Sequence, residues 1–146
     1  MQIINTITAA ILLAASAATA APTAAAAIPD LTITNIKRVC NKADTSCAWT
    51  FGINNTTTTA ATTSTPCSFT IKGSPASHSD LADPKTCGTY RVTAGWSGQF
   101  GPGTGYTTLA VFNNANSRIA WPAYTDKELE GGKVVSPNKA WAVTQL

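Results

Sequence analysis

The sequence predicts an all-β fold, either an antiparallel β-sandwich or a flattened β-barrel of about eight short strands with two disulfides. Large apolar and small polar side chains alternate with a period of two in several short segments, as in strands that bury one face. Glycine, proline and asparagine clusters separate those segments at close spacing. The four cysteines form an even number, which suits a cross-linked secreted domain.

Four segments show the alternation clearly, and their large side chains should form the core: Trp49, Phe51, Ile53, Phe69, Ile71, Tyr90, Val92, Leu109 and Val111. Four shorter strands are expected at Leu31 and Ile33, at Ile119 and Trp121, at Val134, and at Trp141 and Val143. Residues 126–130 offer one helical turn at most. The threonine-rich stretch 56–65 is expected to be a long hairpin loop, although it could instead continue both flanking strands.

The N-terminal region looks like a secretory leader. All 17 Lys, Arg, Asp and Glu residues lie from Asp30 onward, and an apolar stretch precedes the small residues Ala18 and Ala20 of an A-x-A cleavage site. No Lys or Arg comes before that stretch, and it is shorter than the ~20 apolar residues of a membrane span. We expect a signal peptide at 1–20, a flexible Ala/Pro-rich N-terminus at 21–30 and a single β domain at 31–146, secreted and without a membrane span.

Secretion into an oxidising compartment favours disulfides over a metal site. The gaps between the cysteines are six, nineteen and nineteen residues, unlike the close pairs of a zinc site. Of the three pairings we favour Cys40–Cys47 with Cys67–Cys87, because each joins segments that are neighbours in sequence.

Charge and motifs argue against several function classes. A net charge of +3 is too mild and dispersed for nucleic-acid binding. His78 is the sole histidine and is expected in a solvated loop, and no G-x-S-x-G elbow is present. Asp126, Glu128 and Glu130 could hold calcium only if extended, and a solvated turn is the better interpretation. We expect no enzyme activity, no metal and no cofactor.

Function is therefore expected to be recognition by loops. Residues 95–105 are rich in glycine and carry Trp96 and Phe100, and a second aromatic stretch carries Trp121 and Tyr124. These four rings are the candidate recognition surface, with the alternative that they belong to the core. Asn54 and Asn55 each begin an N-x-T sequon and are candidate glycosylation sites.

Two strings carry a resemblance to a known group of proteins. Trp-Ser-Gly-Gln-Phe-Gly at 96–101 and Trp-Pro-Ala-Tyr-Thr-Asp at 121–126, with the cysteine-containing segments before them, resemble small secreted proteins of ascomycete fungi. That group includes hypersensitive-response-inducing elicitors of plant-pathogenic fungi. The resemblance implies a secreted elicitor or effector-like protein that meets a host surface or a cell-wall component, in the plant apoplast if the source is a plant-associated fungus. We expect the protein to be a monomer. The alternative is a carbohydrate-binding or cell-wall-associated module.

Overall fold

The fold is all-β, as the sequence predicts. A computed structural model describes residues 26–55 and 64–146. Within these ranges there are ten strands, two short 3₁₀ turns (Ala76–His78 and Glu130–Gly132) and no α-helix. The strands are β1 Leu31–Cys40, β2 Ser46–Asn55, β3 Thr65–Lys72, β4 Lys85–Cys87, β5 Tyr90–Ser97, β6 Tyr106–Asn113, β7 Arg118–Ala120, β8 Ala123–Thr125, β9 Lys139–Trp141 and β10 Thr144–Gln145.

The strands form two antiparallel sheets and not a closed barrel. One sheet has four strands in the order β3-β2-β1-β9. The other has six, in the order β10-β7-β6-β5-β4, and β8 pairs with β6 next to β7. The inner faces of both sheets contribute to one hydrophobic core.

The predicted core is confirmed. All nine side chains expected inside are buried, and in β2 and β3 they alternate with more exposed neighbours. Trp49 stacks on Phe69 with 5.9 Å between ring centroids, and Phe51 meets the same ring edge-on at 6.0 Å. Period-2 patterning therefore identified the inward faces of β2, β3, β5 and β6.

Both favoured disulfides are present. Cys40 and Cys47 face each other across the β1–β2 hairpin with 3.9 Å between their Cα atoms. Cys67 and Cys87 have Cα atoms 5.2 Å apart. They join β3 and β4, which are edge strands of the two sheets, so this disulfide ties one sheet to the other.

Some predicted elements differ from the structure. Val134 lies outside any strand and is 46% exposed; its neighbour Val135 is the buried residue, and the Val135 N–H donates to the Ile36 carbonyl. The three-residue strands β4 and β8 were not expected. Such short strands show no alternation of their own, because pairing with β5 and β6 defines them.

Some sequence predictions concern residues that the structure does not describe. The signal peptide, residues 21–25 of the Ala/Pro-rich N-terminus and residues 56–63 of the threonine-rich loop fall outside the described ranges. Within those ranges, no helix is long and apolar enough to cross a membrane.

Candidate functional site

The glycine loop, residues 98–105, folds closely around the indole of Trp96. A Cβ atom at Gly98 would lie 2.5 Å from the Trp96 ring. At Gly105 it would lie 2.3 Å from an Asp126 carboxylate oxygen and 2.9 Å from Trp96. Only glycine allows this approach, so these two positions shape the loop around the ring.

Asp126 is the centre of the site. Its Oδ2 accepts a hydrogen bond from Trp96 Nε1 at 2.9 Å, and its Oδ1 accepts one from Arg38 Nη1 at 3.0 Å. His78 Nε2 lies 3.5 Å from Oδ2, and the His78 imidazole stacks on Trp96 with centroids 4.3 Å apart and planes 16° apart. Asp126 directly follows β8, so its carboxylate connects this end of β8 to β1, to the Ala76–His78 turn and to β5.

Arg38 supplies a buried positive charge to this cluster. Its side chain is only 7% exposed, yet it also donates to the Ser77 carbonyl at 2.9 Å and lies 5.7 Å from the centroid of the Trp49 ring. A buried guanidinium is costly unless it is paired and hydrogen-bonded. Asp126 is the paired carboxylate, so Arg38 and Asp126 fix each other.

Two further aspartates hold the neighbouring loop in place. Asp44 accepts hydrogen bonds from the Ser77 hydroxyl and from the Ser77 N–H at 2.8 Å. The bond from the Ser77 side chain keeps the pKa of Asp44 below its ordinary value. Asp80 Oδ1 accepts from the Trp96 backbone N–H at 2.8 Å. The segment 76–80 is thereby attached to the β1–β2 turn at one end and to β5 at the other.

Phe100 is the exposed tip of the glycine loop. Its side chain is 70% exposed and stacks on Tyr106 with 5.8 Å between centroids. Gln99 Nε2 donates to the Tyr106 hydroxyl at 2.6 Å. Beside this tip lies an open cleft of about 460 Å³ lined by His78, Trp96, Gly98, Gly101, Pro102, Gly103, Gly105 and Asp126. The arrangement exposes an apolar ring on a loop that is held in place by the hydrogen bond between Trp96 and Asp126.

The four predicted recognition residues do not share one surface. Trp96 and Phe100 both belong to the glycine-loop region, while Trp121, 47% exposed, follows the end of β7. The structure corrects the prediction that Tyr124 belongs to the recognition surface. Its side chain is 1% exposed, and burial raises its pKa to about 12. Its ring packs edge-on against Trp141 at 5.8 Å, so it belongs to the core and cannot present a ring to a partner.

Sequence reasoning missed the contributions of Arg38, Asp44, His78 and Asp80. His78 was expected in a solvated loop. Its side chain is 45% exposed, and in addition it stacks on Trp96 and faces Asp126. These residues are distant in sequence and meet only through the sheet topology. Arg38 carried no sequence signal either, because the irregularity between Thr34 and Lys37 shifts the alternation that Leu31 and Ile33 begin and turns Arg38 inward.

The three acids at 126–130 do not converge on a calcium site. Asp126 is engaged with Arg38, whereas Glu128 pairs with Lys139 and accepts from the Thr125 N–H at 2.9 Å. Burial alone would raise the pKa of Glu128, but the hydrogen bonds from Lys139 and Thr125 outweigh it and the pKa is lowered. Glu130 is exposed.

Two other candidate sites involve the first disulfide and the two asparagine sequons. Cys40, Asp44 and Cys47 bring ligand atoms within 4.8 Å of one another, but both sulfurs belong to the disulfide and are not free thiolates. Asn54 and Asn55 end β2 and are half-buried, and their glycosylation stays a prediction.

Comparison with known proteins agrees with the resemblance seen in the sequence. The family model described as Effector TSP1 matches residues 32–146, which is nearly all of the described part of the chain. A protein of Hypocrea virens (strain Gv29-8 / FGSC 10586) named Effector TSP1 is 48% identical over 151 residues, covering 100% of this chain and 99% of that protein. The chain therefore belongs to the Effector TSP1 family, a fungal effector-like group.

Proposed function

We propose that this chain is a secreted, non-enzymatic effector that acts on a plant host by surface recognition and induces a defence response of the hypersensitive type. The observation that carries the proposal is the exposed Phe100 ring on a loop braced by Asp126, in a chain of an effector family. Rigid elements that present an exposed aromatic side chain are typical of recognition surfaces, because little entropy is lost on binding.

The hydrogen-bond pattern supports recognition over catalysis. Ser77 and His78 are adjacent in sequence, but the Ser77 hydroxyl donates to Asp44 and His78 Nε2 faces Asp126. The histidine therefore does not activate this serine as a nucleophile. Asp126 is committed to Arg38 and Trp96, which suits a structural carboxylate better than a general acid or base.

Secretion is supported by the leader pattern and by the cysteines. Both disulfides join strands of the folded domain, and such cross-links form and persist in oxidising compartments. The host surface or cell-wall component that the chain meets would contact the loop tip. Trp96 would hold the loop in shape, and Phe100 would make the contact.

The test is a leaf-infiltration assay with purified protein. Wild type should cause a dose-dependent defence response, and the reduced, heat-denatured protein should not. Phe100→Ala should need at least about tenfold more protein for the same response, because truncation of a central aromatic anchor commonly costs this much affinity.

Leu146→Ala is the matched control, since Leu146 is 68% exposed against 70% for Phe100. Its backbone N–H bonds to the Ser117 carbonyl beyond the far end of β6, so it is remote from the loop. A full response from folded Phe100→Ala would contradict the proposed surface. The absence of any response to folded wild type across several plant species would contradict the proposed function.

A further inference from the structure

The outer face of the six-stranded sheet is unusually rich in aromatic side chains. Along β6, Thr107, Leu109 and Val111 are buried, so the alternate residues Tyr106, Thr108, Ala110 and Phe112 point away from the core. The solvent face of an antiparallel sheet is ordinarily polar. Here two of its four β6 positions carry rings.

Trp121 belongs to the same face. Val111 pairs with Ala120 and Thr108 pairs with Ala123, so β7 and β8 keep one register along β6. That register places Trp121 opposite Ala110. The residues on either side of Trp121, Ala120 and Pro122, are buried, so the indole lies on the outer side.

We call this surface the aromatic face and define it by four rings: Phe100, Tyr106, Phe112 and Trp121. Tyr106 and Phe112 are six residues apart, which is about 20 Å along an extended strand. Trp121 lies between them in the segment that joins β7 to β8, and Phe100 extends the row by stacking on Tyr106. The result is an elongated row of rings on a rigid sheet.

The chemistry between the rings is uncharged and hydroxylated. Thr108 lies between the β6 rings, and Thr93 is opposite Ala110 on β5. Among the outward-facing residues of β5 to β8, Arg91 is the one that carries a charge. An anionic polymer or a charged protein surface would find no matching row of opposite charges here, although the whole chain carries +3.

We infer that the aromatic face is a binding site for an extended neutral polysaccharide. A pyranose ring has an apolar C–H face that packs on an aromatic ring, and hydroxyl groups at its edge that bond to hydroxyl side chains. A linear row of rings with interleaved hydroxyls complements a chain of such sugars. The ligand class covers plant cellulose and fungal chitin or β-glucan, which share this chemistry.

The test uses the mature protein and purified polymers. Insoluble cellulose, chitin and β-1,3-glucan are each titrated with protein, and the unbound fraction is measured. Polygalacturonate serves as the anionic comparison. We expect saturable binding to at least one neutral polymer, a roughly tenfold higher Kd for Trp121→Ala, and near-wild-type binding for Trp121→Phe, which keeps a ring.

Val134→Ala is the matched control, because Val134 is 46% exposed against 47% for Trp121 and lies outside the sheet. Its binding should equal that of wild type, and near-ultraviolet circular dichroism should show that every variant is folded. The aromatic face shares Phe100 with the proposed recognition surface, but the inference does not rest on the proposed function. Its test needs no plant and leaves Phe100 intact, so a failure of one is distinguishable from a failure of the other.

Three results would overturn the polysaccharide site. One is no saturable binding of folded wild type to any of the three neutral polymers. Another is an unchanged Kd for folded Trp121→Ala. The third is a different ligand. Binding to polygalacturonate alone would assign the face to an anionic polymer, and a self-association that is lost in Trp121→Ala, without polymer binding, would assign it to a second copy of the chain.

Discussion

Removal of the Asp126 carboxylate should cost about 3 kcal/mol of unfolding free energy. Asp126→Ala leaves the Arg38 guanidinium, only 7% exposed, without its counter-ion. Breaking a buried ion pair from one side typically costs 3–5 kcal/mol. We take the lower end of that range, because Asp126 itself is 22% exposed and water can partly replace it. The lost Trp96 hydrogen bond is within this figure.

A double-mutant cycle with Arg38→Met shows whether the cost comes from the unpaired charge. Once the guanidinium is absent, the loss of Asp126 should be less harmful. The double variant should therefore be more stable than the sum of the single effects by roughly 1–3 kcal/mol. Urea unfolding followed by tryptophan fluorescence measures all four proteins, and 3 kcal/mol corresponds to a fall in Tm of about 10–15 °C.

Glu128→Ala is the control for this cycle. Glu128 also pairs with a cation, but Lys139 and Glu128 are 35% and 31% exposed, so the loss should stay near or below about 1 kcal/mol. The reasoning fails if Asp126→Ala costs no more than Glu128→Ala. It also fails if the Arg38 and Asp126 effects are additive, because the two groups would then not be coupled.

Three other predictions concern the core, the glycine loop and acid stability. Phe51→Ala should lower the unfolding free energy by roughly 3–5 kcal/mol in urea titrations, and an unchanged Tm would show that its strand face was misassigned. Gly105→Ala should displace Trp96 and alter the near-ultraviolet circular dichroism, whereas Gly95→Ala, whose Cβ would meet only an ordinary contact at 3.7 Å, should leave the spectrum unchanged; equal spectra for both would contradict the close packing. The pKa of Asp44 is lowered on folding, so its contribution to stability is full above about pH 5 and is lost as the pH falls through the folded-state pKa. The Tm of Asp44→Asn should accordingly fall less than that of wild type below about pH 4. The same fall in Tm for both proteins would refute this.

The fold was predictable because long strands carry their own signal. Trp49, Phe51 and Ile53 alternate with small residues, and this pattern defines the inward face without knowledge of the partner strand. The three-residue strands β4 and β8 carry no such signal. A strand was expected at Val134, but the backbone there follows the Glu130–Gly132 turn instead.

The site was less predictable, because its contacts join residues that are far apart in sequence. Arg38 and Asp126 are 88 positions apart, and no local pattern could have paired them. Tyr124 was misassigned because its neighbours resemble a surface loop. In the structure β8 gives Tyr124 an inward position, where it pairs with the buried Thr107 of β6.

The central claim is that the chain acts by recognition through the Phe100 loop, and a competition assay tests it most directly. Labelled wild type is bound to a leaf cell-wall and membrane fraction and displaced by unlabelled protein. Unlabelled wild type and Leu146→Ala should displace the label at the same concentration, and Phe100→Ala should require at least about tenfold more. Displacement by folded Phe100→Ala at the wild-type concentration, or an absence of saturable binding, would contradict the claim.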